Sequence, residues 1–373
     1  MKYDVVIVGG GLAGLTASIC LSQSGFKVLV LEKNRYPNHK VCGEYISNEV
    51  RPFLEFLGLD LKALDVVPIE SFSMSNRKGK KLHCKLPLGG FGISRYTLDH
   101  ALYELALKKG VDIRFEMVST IEFKEDGFNI ATKSNSYQSA VAIGAYGKRS
   151  ALDKSLKRPF IHSKSPWLGI KAHYTIKDFS REEVSLHSFP GGYGGLSMVE
   201  GDKVNFCYLA HYKNFQRFGN IDEFNANIVV QNPLLKKFLD RATPVLEAPL
   251  SIAQISFTRK ETVEGHMLMC GDSAGLIHPL CGNGMAMAIH SAKIASDRIA
   301  RYLKEERYSR EHMERDYQKI WSSNFNRRLY FGRRMQYAIT NTLVMDHFFS
   351  YIPNSQRFLS ATIKLTHGKP ILV

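Results

Sequence analysis

Three glycines in the spacing G-x-G-x-x-G (Gly9, Gly11, Gly14) and an acid eighteen residues beyond them, Glu32, have the residue types to bind a dinucleotide. Gly9 allows a tight turn, Gly11 lets a pyrophosphate approach the backbone, and Gly14 lets the following helix pack close to its strand. Leu12 and Ala13 open that helix, where bare N–H groups and the helix dipole favour an anion. Glu32 is placed to accept hydrogen bonds from ribose hydroxyls, and its charge would repel a 2′-phosphate; Lys33 belongs to the same expected contact. The motif alone is weak, but between a strand and a helix, with an acid ending the next strand, it is strong. The ligand it predicts is an adenine dinucleotide, FAD or NAD.

A second glycine turn, Gly271-Asp272-Ser273-Ala274-Gly275, is followed by Pro279-Leu280-Cys281-Gly282-Asn283-Gly284 and Met285. Asp272, ending a strand, can accept hydrogen bonds from polyol hydroxyls, and Gly282 and Gly284 open a helix whose N–H groups face an anion. His278, beside Pro279, could act as acid or base or simply be hydrogen-bonded locally.

The elements that position these residues follow from the apolar pattern. Val5–Val8 form an apolar β-branched run, as in a strand buried on both faces of a parallel sheet. Leu12, Leu15, Ile19 and Leu21 recur at helical spacing until Gly25, and Lys27–Leu31 is a second strand. A helix capped by Ser47 follows, then two strands within Ile69–Leu86 joined at Arg77–Lys80, and a helix led in by Arg95. Strands are expected at Asp112–Phe115, on both sides of Glu125-Asp126-Gly127, and at Tyr137–Ile143. From Trp167 to Thr258 alternation predicts an antiparallel sheet with a helical piece around Ile221–Leu239. Met267–Cys270 restores a buried strand, a helix runs from about Gly284 to Leu303, and the remainder is helical, basic and aromatic-rich.

The expected fold is α/β: a Rossmann-type FAD-binding domain, an inserted antiparallel substrate domain and C-terminal helices. The nucleotide domain is discontinuous, residues 1–68, 97–158 and 259–310. Residues 69–96 and 159–258 form the substrate domain, and 311–373 the helical segment.

At 373 residues the chain can bury two cores, and 44% hydrophobic with 23% charged residues argues against disorder. Six cysteines without a C-x-x-C pair suggest reduced thiols in a cytoplasmic protein. The apolar N-terminus is interrupted by Asp4 and glycines, and cleavage there would destroy the fingerprint, which argues against a secretory signal. No run reaches the roughly 18 apolar residues of a membrane span. A net charge of +15 favours acidic partners such as a dinucleotide, an anionic carrier or an anionic lipid surface. No nucleic-acid recognition motif accompanies it, and no metal site is expected.

Four motifs occur in the order seen in FAD-dependent oxidoreductases of the para-hydroxybenzoate hydroxylase and geranylgeranyl reductase superfamily, which the chain resembles over most of its length. They are Gly9–Gly14 with Glu32, Arg95 before its helix, the Gly144–Ser150 segment, and Gly271–Gly284. The resemblance implies FAD as cofactor, with Arg95 near its phosphate and ribityl atoms and Gly147 as a backbone contact. NADPH or NADH is the candidate electron donor, although Tyr146 stands where the family carries an aspartate used in flavin and nicotinamide binding.

Lys40-Val41-Cys42-Gly43-Glu44 resembles a loop of geranylgeranyl reductase-like proteins that lies near the flavin ring. The resemblance implies Cys42 and Gly43 as cofactor contacts, and Cys42 is either a redox-active or substrate-contacting thiol that meets Cys281 across the ring, or a packed one. Gly191–Gly195 is similar to a segment bordering the family's substrate cavity, with Tyr193 lining the pocket, or it is an ordinary hairpin loop. Flavin halogenases share much of the pattern but carry W-x-W-x-I-P, which the isolated Trp167 and Trp321 do not reproduce.

The resemblance puts two activities first: oxygenation of an apolar aromatic or polyketide-like molecule after reduced FAD reacts with oxygen, and, as alternative, reduction of a carbon–carbon double bond in a prenyl or lipid substrate. A non-catalytic flavin-binding protein is the reading from another class. In the tail, Arg327, Arg328, Arg333 and Arg334 stand among aromatics, with positions 327, 331, 334 and 338 on one helical face. That face could meet an anionic membrane, a lipid-like substrate or an acyl carrier, or be solvated.

Overall fold

Val5–Val8 and Val28–Leu31 expose almost nothing, and their aliphatic side chains fill both faces of a largely parallel sheet. In the computed structural model, which describes residues 2–341, 344, 349 and 356–372, this sheet runs in the order Val263–Glu264, Met267–Met269, Ser136–Gly144, Lys2–Val8, Val28–Leu31, Asp112–Arg114. The last five strands are mutually parallel, with Val5 opposite both Val28 and Val141. The hairpin Val118–Lys124 and Gly127–Thr132 attaches antiparallel to Ser136–Gly144. Helices Leu12–Gln23 and Gly284–Lys304 pack together, and Ser296 Oγ donates to the Ala17 carbonyl at 3.4 Å.

The second sheet has nine strands and gathers Val67–Ser75 and Lys81–Gly92 with Trp167–Thr175, Glu183–Phe189, Gly192–Val199 and Lys203–His211. It is antiparallel except where Glu183–Phe189 runs parallel to Val67–Ser75, so it is mixed rather than purely antiparallel. Tyr45–Ser47 departs from the expected helix start: it pairs with Gly90–Gly92 as an edge strand of this sheet. Ser47 nevertheless caps the turn after it, accepting from Glu49 N at 3.4 Å, and a helix follows over Arg51–Leu57. The helical piece expected at 221–239 is two helices, Ile221–Asn227 and Pro233–Leu239. Proline cannot donate within a helix, and Asn232 caps the second by accepting from Leu234 N at 2.9 Å.

The long C-terminal helix Arg310–Thr340 and helix Gln356–Thr366 cover one face of the second sheet. Ile339, Leu359 and Ile363 join Met74, Leu186 and Leu209 in an apolar layer there. Among the described residues no helix is long and apolar enough to cross a membrane.

Candidate functional site

The two glycine turns meet. A methyl group at Gly271 would lie 3.2 Å from the Ala13 Cβ, and Gly11 looks out onto the Arg95 guanidinium, 3.5 Å from where its own Cβ would be. Asp272 lies within electrostatic reach of that guanidinium. Gly9 takes a left-handed φ of 105° beneath the Ala145 carbonyl, and a Cβ on Gly14 would be 1.9 Å from the Gly9 carbonyl oxygen. Helix Leu12–Gln23 has no side-chain cap and no acid in its first turn, so the N–H groups of Leu12, Ala13 and Gly14 remain available to an anion. Glu32 is 7% exposed and accepts from Gly10 N at 2.7 Å and Asn34 N at 3.0 Å, which fixes a carboxylate that keeps lone pairs for a ribose. Lys33 beside it is exposed.

Arg95 is held by a fork: its Nε and Nη2 both reach Asp99 at 2.7 Å, and Lys40 Nζ contacts the same buried carboxylate at 2.8 Å. Burial would raise the Asp99 carboxyl, but the two cations hold it below its ordinary value. The Arg95 backbone N–H donates to Glu44 Oε1 at 2.7 Å.

Glu44 belongs to a group that no local sequence signal reveals. It is fully buried, adopts a left-handed φ of 54°, and also receives the Lys171 ammonium and, at 2.6 Å, His173 Nε2. Burial pushes its carboxyl up, and hydrogen bonding from His173 and the Lys171 charge more than reverse this, leaving it below its ordinary value. The loop before it is sewn to the second sheet: Asn205 Nδ2 donates to the Cys42 carbonyl and Ser197 Oγ to the Gly43 carbonyl, each at 3.2 Å. Loop 40–44 is thus a bridge between the helix start at Arg95 and the second sheet.

The Gly144–Ser150 segment is joined to the Gly271 turn. Gly147 (φ 90°) donates to Ser273 Oγ at 2.8 Å, and Lys260 Nζ links the Lys148 and Asp272 carbonyls, each at 2.8 Å. Burial lowers the Lys260 ammonium to about 8. Tyr146 is half-buried beside the Arg158–Asp153 pair, and desolvation raises its phenol above the ordinary range.

Beyond Asp272 the chain makes a short turn, Pro279–Cys281, then Gly282 at φ 60°, and helix Gly284–Lys304 begins without a side-chain cap. Asn283 turns its amide to Glu49 at 3.2 Å instead, leaving the first-turn N–H groups free, and Met285 is buried.

His278, the expected acid or base, and Tyr193, expected to line the pocket, converge on a residue the sequence did not single out. Tyr193 Oη donates to Gln336 Oε1 at 3.2 Å and accepts from Leu280 N at 3.3 Å, while His278 Nδ1 contacts the same Gln336 oxygen. His278 stacks on Phe257 at 3.8 Å, and burial lowers it to about 4, so it is neutral near pH 7. Burial raises the Tyr193 phenol well above 10.

Cys207 lies within electrostatic reach of Cys42, whereas Cys281 faces Tyr193 and the backbone of Gly332. Burial raises the Cys281 thiol to about 12, so it is protonated. All six cysteines are free thiols.

An extended dinucleotide fits these groups: an open helix start with a tethered arginine for the diphosphate, Glu32 for the ribose, and Asp272 with a second open helix start further along. Two glycine turns brought together in this way define a flavin-dependent oxidoreductase of Rossmann type.

The chain belongs to the FAD binding domain family, whose model matches residues 2–315. It is 26% identical over 338 residues to a digeranylgeranylglycerophospholipid reductase of Methanococcus vannielii, covering 86% of this chain and 82% of that protein. Conditioned medium factor receptor 1 of Dictyostelium discoideum is 25% identical over 381 residues, covering 93% of this chain and 71% of the relative. The fold is shared with the flavin-dependent brominase Bmp2, at TM-score 0.81 and 18% identity, covering 98% and 93% of the two chains. It is also shared with a geranylgeranyl bacteriochlorophyll reductase-like protein of Thermoplasma acidophilum, at TM-score 0.77 and 18% identity over 98% and 95%.

Proposed function

We propose that this flavoenzyme reduces a carbon–carbon double bond in an apolar, prenyl-type substrate. The observation that carries the reading is Tyr193, a neutral phenol held by Gln336 and Leu280 N in the apolar layer beside the Pro279–Gly284 turn. FAD held by the two glycine turns would supply a hydride to one alkene carbon, and NADPH or NADH would restore it. Tyr193 Oη would give the proton to the other carbon, which reduction requires and which an apolar chamber cannot draw from water. His278, neutral, holds the Gln336 amide in place for Tyr193. Leu186, Leu209 and Leu276 exclude water around it.

The curated reductase relatives support this order, whereas sequence patterns alone put oxygenation first. Oxygenation remains the second reading, because the Arg95 and Gly271–Gly284 pattern serves both. The test is anaerobic incubation of reduced holoenzyme with a geranylgeranyl-chain lipid, followed by mass spectrometry. Products gaining two hydrogens per double bond support reduction. Recovery of unchanged lipid, together with oxygen-dependent gain of one oxygen atom, would overturn it.

A further inference from the structure

Behind the flavin loop a cavity of about 890 Å³ opens between helices Gly284–Lys304 and Arg310–Thr340, the strand segment 86–89 and the C-terminal segment 363–372. That volume suits a small-molecule site. Its wall is unbalanced in charge: Lys293, Arg327, Arg328, Lys364 and Lys369 face a single acid, Asp297. Lys293 is paired with Asp297 at 2.8 Å and Arg328 with Glu49 at 3.0 Å. Arg327, Lys364 and Lys369 make no ion pair among the described residues, and unpaired cations around a concavity concentrate an anion.

The same wall carries an apolar side, with Leu86, Leu88, Ile294 and Ile363. It also holds two buried ring nitrogens without a hydrogen-bond partner, His290 Nδ1 and His367 Nε2. Cations alone would suit any anion. Cations opposed by leucine and isoleucine suit an anion that carries a chain.

We propose that this cavity binds one phosphate-headed amphiphile, with the phosphate among Arg327, Lys364 and Lys369 and the start of its chain against Leu86, Leu88 and Ile363. This goes beyond the redox reading and does not depend on it. From Arg327 an exposed stripe continues along the same helix through Tyr330, Arg333, Arg334 and Tyr337, with the tyrosines 54% and 70% exposed. A stripe of cations and amphipathic rings suits the headgroup level of an anionic bilayer. The occupant can therefore come from a membrane or arrive as a free prenyl or acyl phosphate.

The test is calorimetric titration of the holoprotein with monomeric dodecyl phosphate, comparing wild type, the double variant Lys364→Gln/Lys369→Gln, and Lys124→Gln on the remote hairpin as control. Wild type and control should bind, the double variant about tenfold more weakly or worse, and inorganic phosphate far more weakly than dodecyl phosphate. Sedimentation with phosphatidylglycerol vesicles but not phosphatidylcholine vesicles, lost in the double variant, would support the site and assign a bilayer source. Binding of dodecyl phosphate without vesicle sedimentation would support the site and assign a free amphiphile. No binding of dodecyl phosphate by wild type, or equal binding by wild type and double variant, would overturn the proposal.

Discussion

Glu44 shows what a single residue can do here. One carboxylate terminates a helix start, neutralises a buried ammonium and anchors an imidazole, all out of contact with water. Removing one member of such a buried group leaves the others uncompensated, at about 3–5 kcal/mol. Glu44→Gln should therefore lower stability by that order at neutral pH, measured by denaturant unfolding. The carboxyl is held below its ordinary value of 4.5 in the folded chain. Its stabilisation is thus present above the unfolded value and is lost as pH falls through the folded one, so wild type and variant should converge in acid. The double variant Glu44→Gln/Lys171→Met should lose less than the two single losses added together. Tyr193→Phe tests chemistry instead. With the phenol protonated far above neutral pH, the variant should keep its FAD and its KM while kcat falls about 10²–10⁴-fold, the usual contribution of a placed acid. Glycines at short spacings made the two turns legible in the sequence, and the fold brings those turns together. The Glu44 group was not, because Lys171 and His173 lie 127 and 129 residues away along an ordinary-looking strand, and only sheet register brings them to the loop.

Elements pack closely where glycine allows it, and two places decide whether they reach the site. At Gly14, a Cβ would sit 1.9 Å from the Gly9 carbonyl, so helix and strand would separate at the point where the diphosphate is expected. Gly14→Val should cost about 1–3 kcal/mol as overpacking and yield protein with little bound flavin, read from the visible absorbance of the purified variant. At Gly332, a Cβ would lie 3.1 Å from Cys281 Sγ and 3.5 Å from the His278 ring, so the long helix rests on the flavin loop because this residue has no side chain. Gly14 was readable from its motif. Gly332 sits in a helix with no motif around it, and its partner loop is about fifty residues distant, so only tertiary packing reveals its purpose. The same packing sorts the arginines of this helix. Arg328 is buried against Glu49, and the exposed stripe runs through positions 327, 330, 333, 334 and 337. The shared side of Arg327 and Arg334 was visible in sequence, but the inward turn of Arg328 onto Glu49 was not.

At the scale of the molecule, one buried carboxylate ties three distant segments together. Glu49 Oε1 receives Arg328 Nη1 at 3.0 Å from the long helix, and Oε2 receives Asn283 Nδ2 at 3.2 Å from the flavin loop and the backbone N–H of Gly368 from the C-terminal segment. The Glu49 carbonyl also accepts from Ile371 N at 2.8 Å. Burial of a charge is tolerable only while its partners remain. Arg328→Met keeps the volume and removes the cation, leaving Glu49 uncompensated, and should cost about 3–5 kcal/mol. Because Asn283 begins the helix whose open start would face the flavin, the loss should not be confined to the C-terminal segment. We expect weaker FAD retention on dilution as well as a lower unfolding midpoint, whereas Arg327→Met, exposed and unpaired one residue earlier, should change neither. Limited proteolysis distinguishes a coupled network from a local latch: cleavage of Arg328→Met confined to residues after 366, with flavin fully retained, would show that Glu49 holds only the tail.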